Sequence, residues 1–192
     1  MTTIFVSLET AIDLKWLLFL CLLTFFPLRS KIDYEMEEKF VSIYIKEAIK
    51  EDIKEINKLL TDLIQDERQY DENINKNYIV KNYYEQFLDK EDSCLIVAKD
   101  ETNTVLGYGF GFIMDYGNVY DSKIAQLDAV YIKPEYRKNG IARQIIQYFT
   151  EWSKKNKVLY IELKVCNDNL KAIELYEKEG FTTDKKILKK KL

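Results

Sequence analysis

The sequence contains no histidine. That absence removes the Ser-His-Asp triad, the Cys-His dyad and every His-ligated metal site, and no metal is expected. Any chemistry must come from Tyr, Asp, Glu, Lys, Cys or the main chain. The three cysteines, Cys21, Cys94 and Cys166, form no C-x-x-C pair, so a zinc or thioredoxin-like site has no support. So few cysteines suit a reducing cytoplasm. A basic excess is also missing: 29 Lys and Arg stand against 32 Asp and Glu, a net charge of −3. That balance argues against a nucleic-acid partner. The one basic run, KKILKKKL at 185–192, reads as a charged terminal strand or tail. Neither G-x-x-x-x-G-K-[ST] nor G-x-G-x-x-G occurs.

A long hydrophobic run is lacking as well. The apolar stretch WLLFLCLLTFFPL at 16–28 is shorter than the roughly 18–20 residues that span a bilayer as a helix. It could serve as the apolar core of a signal peptide. However, Glu9 and Asp13 precede it with only Lys15 to offset them, and no small-residue cleavage site follows. Three readings stand: a membrane-associating helix, a degenerate signal, or upstream sequence joined by a misplaced start, because Met36 lies just before a conventional domain opening. Residues 1–35 are therefore set apart as an extension, and 36–192 are expected to form one domain, large enough for a proper core.

What is present is a clear alternation of patterns. Residues 41–48, VSIYIKEA, alternate and read as a strand. A helix follows with Ile53, Ile56, Leu59, Leu60, Leu63 and Ile64 in helical period. A second helix is predicted over about 76–88, from Tyr78, Ile79, Tyr83 and Phe87. Strands are predicted at 94–100, 104–115 and 123–133, the last stopped by Pro134. An amphipathic helix at 141–156, a strand at 157–165 and a helix at 169–180 follow, and a short strand or hairpin closes the chain. The class is α/β with a mixed sheet, antiparallel in its central meander and parallel where the late helices cross over.

The stretch YRKNGIARQII at 136–146 carries the first chemical signal. A strand ends at Pro134 and a helix begins near Gly140, so the loop between them presents unpaired N–H groups at the positive end of a helix dipole. Such a place binds phosphate, and Gly140 and Ala142 let an anion approach while Arg137 and Lys138 add charge. An ordinary turn with a glycine is the alternative.

The spacing of Arg137, Gly140 and Ala142 resembles the cofactor loop Gln/Arg-x-x-Gly-x-Gly/Ala of the GNAT superfamily of N-acetyltransferases. A second motif of that family, N-x-x-A-[IV]-x-[LF]-Y-x-x-x-G-F, is matched by NLKAIELYEKEGF at 169–181. The two motifs stand in the family's order, and the resemblance extends over roughly 41–192. It implies the following. Acetyl-CoA is the acetyl donor, and a primary amine, expected to be a small cationic one, is the acceptor. Backbone N–H groups of Arg137, Lys138, Asn139, Gly140, Ile141 and Ala142 cradle the pyrophosphate. The backbone of Val130, Tyr131 and Ile132 pairs with the pantetheine arm like an added strand, and one N–H polarises the thioester carbonyl. Asn169 bonds the arm, and Tyr176, seven residues on and on the same helical face, protonates the leaving sulfur.

Asp128 matches the place where diamine acetyltransferases of the family carry a Glu, and is expected to accept the amine's proton, directly or through water. By simple alternation it shares a face with Val130 and Ile132, with Gln126 beside it. The ribosomal-protein amino-terminal acetyltransferases use a Glu five residues before the motif Asn, where this chain has Lys164. That departure weakens the protein-acceptor alternative. A non-catalytic acyl-CoA-binding module, tethered through 16–28, is a further alternative, and a homodimer is an open expectation. Two more features bear on the acceptor. GYGFGF at 107–112 has one bare and one bulky face, for a pocket or for close helix packing. The stretch 61–74 holds Asp62, Asp66, Glu67, Asp71 and Glu72 against one Arg, either an acidic rim or a solvated helix end.

Overall fold

The computed structural model describes residues 42–192; the apolar stretch 16–28 and Cys21 lie outside them. Five strands form one sheet in the order β1-β2-β3-β4-β5: Tyr44–Glu47, Ser93–Lys99, Val105–Met114, Lys123–Ile132 and Val158–Leu163. The first four are successively antiparallel, and β5 lies parallel to β4. The parallel pairing requires a crossover, and helix α2, Ile141–Lys155, supplies it. Helix α1, Ile53–Glu67, follows β1, and α3, Leu170–Lys178, follows β5. The mixed sheet expected from the pattern is the one observed.

Alternation along β2 separates two cores. Cys94, Ile96 and Ala98 pack with Ile141, Ile145, Ile146 and Phe149 of α2. Leu95 and Val97 pack with Ile53, Ile56 and Leu59 of α1, together with Tyr84, Tyr108 and Phe110. The glycine-aromatic alternation of β3 serves both faces. A Cβ at Gly109 would collide with Ile145, and one at Gly111 with Phe149, so the bare face is where α2 rests on the sheet. The bulky face carries Phe110, whose ring centroid lies 5.0 Å from Tyr84 and 4.7 Å from Phe87. Under α1 a buried ion pair joins Lys99 and Asp52 at 2.5 Å.

Two expectations fail. The helix predicted over 76–88 is a run of turns with one short 3-10 segment, Tyr84–Phe87. Side chains of α1 take the main-chain groups a helix would have used. Asn57 Oδ1 accepts from the amides of Tyr83 and Tyr84, Thr61 Oγ1 accepts from Val80, and Gln65 Nε2 donates to the Tyr78 carbonyl. Asn75 closes its own turn by accepting from the Asn77 amide. The terminal strand or hairpin is absent too, because 182–192 contain no regular element. Ile187 and Leu188 are 77% and 92% exposed, so the apolar side chains there gain no burial that would fix a register.

Candidate active site

The site begins with a mismatch in β4. Its register with β3 runs Phe110 to Ala129 and then Gly111 to Leu127, which leaves Asp128 opposite no residue. This is a β-bulge, and it reverses the side-chain phase of the strand. Ala125 and Leu127 lie in the α2 core, whereas Ala129 and Tyr131 lie in the α1 core. The bulge corrects the simple alternation. Asp128 and Gln126 face α1, with Gln126 Nε2 donating to Asp128 Oδ1 at 2.8 Å, while Val130 and Ile132 face α2.

The same point is where β4 and β5 part. Their last paired residues are Leu127 and Leu163, so β4 runs on from Asp128 to Ile132 without a neighbour on that side. Lys133 donates to the Leu106 carbonyl, which sets the phase: Ala129 and Tyr131 turn their main-chain groups to β3, and Val130 and Ile132 turn theirs to the gap. The Ile132 carbonyl there accepts from Arg137 Nε at 2.9 Å. The N–H groups of Val130 and Ile132 and the Val130 carbonyl face open space beside β5. Of the three residues expected to meet an extended arm, Tyr131 is therefore placed differently. Its hydroxyl donates to Asp66 Oδ2 at 3.2 Å, and burial, then the Asp66 charge, push its pKa up to about 12.

The loop after β4 leads to the amino terminus of α2. Lys138 and Gly140 both take positive φ, 68° and 73°. Gly140 sits at the N-cap with no side-chain cap, and the first turn contains no acidic residue. A Cβ at Gly140 would have no neighbour within 4 Å, so the helix end faces open space. Ile141 is buried in the α2 core while Ala142 is only partly so, and the first-turn amides are uncapped. Asn139 ties the loop back by donating to the Tyr136 carbonyl. Arg137 is committed elsewhere: its guanidinium pairs with Asp66 at 2.9 Å and lies 5.2 Å from the Tyr131 ring centroid. It latches the loop to α1, which leaves Lys138 as the loop's free cation.

Helix α3 packs beside α2, and Glu179 at its carboxyl end pairs with Arg143 at 2.9 Å. Asn169 is its N-cap and accepts from the Ala172 amide through Oδ1, which fixes the side chain and leaves Nδ2 without a partner among the described residues. Tyr176 lies two turns further on and packs against the α2 core, with Phe181 edge-on at 5.8 Å. Its hydroxyl has no hydrogen-bond partner among the described residues, and the residue is only partly buried. Burial, then the charge of Glu67, push its pKa up to about 12.

Glu67 is a residue that the sequence assigns only to an acidic rim or a solvated helix end. It is the last residue of α1. The surrounding protein desolvates its carboxyl, and the negative charge of Asp128 adds to that, so its pKa is raised. Asp128 also raises the pKa of Tyr83, Tyr84 and Tyr108, in each case after burial. Glu67, Asp128 and Tyr176, from three different elements, thus share one electrostatic neighbourhood. A signal for Glu67 was available. It stands seven residues after Leu60 and three after Ile64, so it extends the apolar stripe of α1 by one turn with a carboxylate. Lys164 is exposed, and its position offers no carboxylate. Among the described residues no group of three His, Cys, Asp or Glu side chains converges as a metal site, and no helix is long and apolar enough to cross a membrane.

Comparison with known proteins agrees with this geometry. Residues 57–181 match the Acetyltransferase (GNAT) family. The chain is 28% identical over 109 residues to the catalytic subunit of the N-terminal acetyltransferase B complex of Arabidopsis thaliana, covering 56% of this chain and 61% of that protein. It is 29% identical over 121 residues to N-alpha-acetyltransferase 20 of Dictyostelium discoideum, covering 60% and 68%. The chain thus spans between three fifths and about two thirds of the length of these relatives. Among solved structures, a variant of the BH1408 protein from Bacillus halodurans superimposes with a TM-score of 0.69 at 21% identity, over 78% of this chain and 99% of that one. The chain belongs to the GNAT acetyltransferase family.

Proposed function

We propose that this GNAT-family chain transfers the acetyl group of acetyl-CoA to a cationic amine. The observation that carries the reading is the gap that opens beside β4 at Asp128 and leads to the uncapped end of α2. Val130 and Ile132 offer main-chain groups to the pantetheine arm, and amides of 138–142 offer an anion site to the pyrophosphate. Asn169 Nδ2 and the Tyr176 hydroxyl would meet the arm from α3. Acetyl-CoA supplies the activated thioester.

On the α1 side the walls are acidic and aromatic: Glu67 and Asp128, with Tyr83 near them. These groups favour an ammonium. The raised pKa of Glu67 suits it to act as the base, and it takes the ammonium's proton directly or through water. The freed amine attacks the thioester carbonyl. A C–N bond forms, the nitrogen gives up its second proton to solvent, the C–S bond breaks, and the sulfur leaves as thiolate beside the Tyr176 hydroxyl, which donates a hydrogen bond to it. Thiol release measured with a panel of small amines tests the reading. No amine-dependent release above background would reject it.

A second acceptor class is favoured by one observation, the names of the two relatives, which act on protein amino termini by those names. Lys164 stands against it. Peptides with free amino termini belong in the same panel, and a preference for them of tenfold or more in kcat/KM would replace the small-amine reading.

A further inference from the structure

The basic segment at 185–191 does not trail into solvent. Lys185 Nζ donates to Glu162 Oε1 of β5 at 2.8 Å. Lys189 Nζ donates to both oxygens of Asp71, at 3.0 and 2.9 Å, and Lys191 Nζ to Glu72 Oε1 at 3.0 Å. Asp71 and Glu72 lie just beyond the end of α1, a few residues past Glu67. Lys189, Asp71, Glu67 and Asp168 all act on Cys166, so Lys189 and the end of α1 both lie close to the loop before α3.

The manner of attachment matters. With Ile187 and Leu188 in solvent, the segment is held by its ion pairs. Exposed pairs are individually weak, but the covalent link keeps the lysines close to their carboxylates at an effective concentration in the millimolar range. The contact is therefore displaceable. A soluble amine with more than one positive charge would seek the same carboxylates.

We propose that residues 185–191 form an autoinhibitory strap that occupies the acidic rim at Asp71 and Glu72 and competes there with cationic acceptors. The proposal rests on the reading that the acceptor enters beside Glu67. The strap would make the chain respond to acceptor concentration with a threshold in the range of the tether's own effective concentration. It would also favour acceptors with two or more cationic centres, because only these can replace both lysines.

The test uses the full chain and the double variant Lys189→Gln/Lys191→Gln, in which exposed side chains change and the melting temperature should hold. Backbone amide relaxation is recorded for 185–191 at low salt, without acetyl-CoA, before and after addition of norspermidine, a linear triamine. The segment should be ordered at first and released by the triamine. In steady-state thiol release the double variant should show a KM for the triamine about three- to tenfold lower, at unchanged kcat. Amides already flexible at low salt, amides that the triamine leaves unmoved, or an unchanged KM would each overturn the strap. Release by the triamine in a chain that acetylates no amine would support the strap and reject the acetyl-transfer reading instead.

Discussion

Replacing Tyr176 by Phe removes one oxygen and tests the sulfur end of the site. The phenol is pushed up to about 12, so it stays protonated across the working range. An ordinary thiol titrates near 8.5, so complete proton transfer from the phenol to the departing thiolate is uphill by about 3.5 pH units, or roughly 5 kcal/mol. Tyr176 is therefore a hydrogen-bond donor to a charge that forms as the C–S bond breaks, and solvent protonates the thiolate after release. A donor aimed at developing charge is worth about 10²–10³-fold in kcat. This is less than the upper end of what full general-acid catalysis supplies. The structural cost should be small, because the hydroxyl has no partner among the described residues and the residue is only partly buried. A change within about 0.5 kcal/mol of the parent's stability is expected. The assay is single-turnover thiol release at saturating acetyl-CoA and amine, with a thermal melt as control. A rate within twofold of the parent would refute the reasoning and leave Tyr176 as a packing residue.

Gly140→Asp should abolish measurable acetyl-CoA binding by calorimetry, because it projects a carboxylate at the uncapped helix end; the fold should persist at a cost of about 1–2 kcal/mol for a side chain at φ 73°, where it meets no neighbour. Binding that survives unaltered would remove 138–142 from the cofactor site. Asp128→Asn should shift the acidic limb of the pH–rate profile to lower pH. The negative charge of Asp128 helps to raise Glu67, and a base with a raised pKa loses activity as pH falls through that value. With Asp128 neutral, Glu67 stays ionised to lower pH. A limb that stays in place would show that Glu67 is not the titrating base, and loss of the limb would show that Asp128 itself is.

Much of the frame was legible because each signal was local. The glycine-aromatic alternation of β3, Pro134 at the end of β4 and the helical periods around Ile145 and Leu175 each point to one element without reference to the rest of the chain. The failures came where distant groups decide. Tyr78, Ile79 and Tyr83 have a helical spacing, but Asn57, Thr61 and Gln65 capture that segment's main chain from another helix. A strand's alternation assumes an unbroken ladder, and only its pairing with β3 reveals the extra residue at Asp128. Glu67 looked like part of a solvated helix end until β4 placed a second carboxylate and α3 a tyrosine in its field.

The bulge also constrains how this strand can change over time. Upstream of Asp128 the odd-numbered residues of β4 serve the α2 core, and downstream the even-numbered ones do. One strand therefore packs Val130 and Ile132 toward α2 and Tyr131 toward α1. Under the proposed function, substitutions on the α1 side could change acceptor preference while the main-chain groups of Val130 and Ile132 stay as they are. A single-residue deletion at the bulge acts differently. Loss of Asp128 would restore a regular ladder with β3 and, by the period of two, leave Ala129 and Tyr131 toward α1 and Val130 and Ile132 toward α2, as they stand. The strand would keep both of its faces and lose only the carboxylate that acts on Glu67.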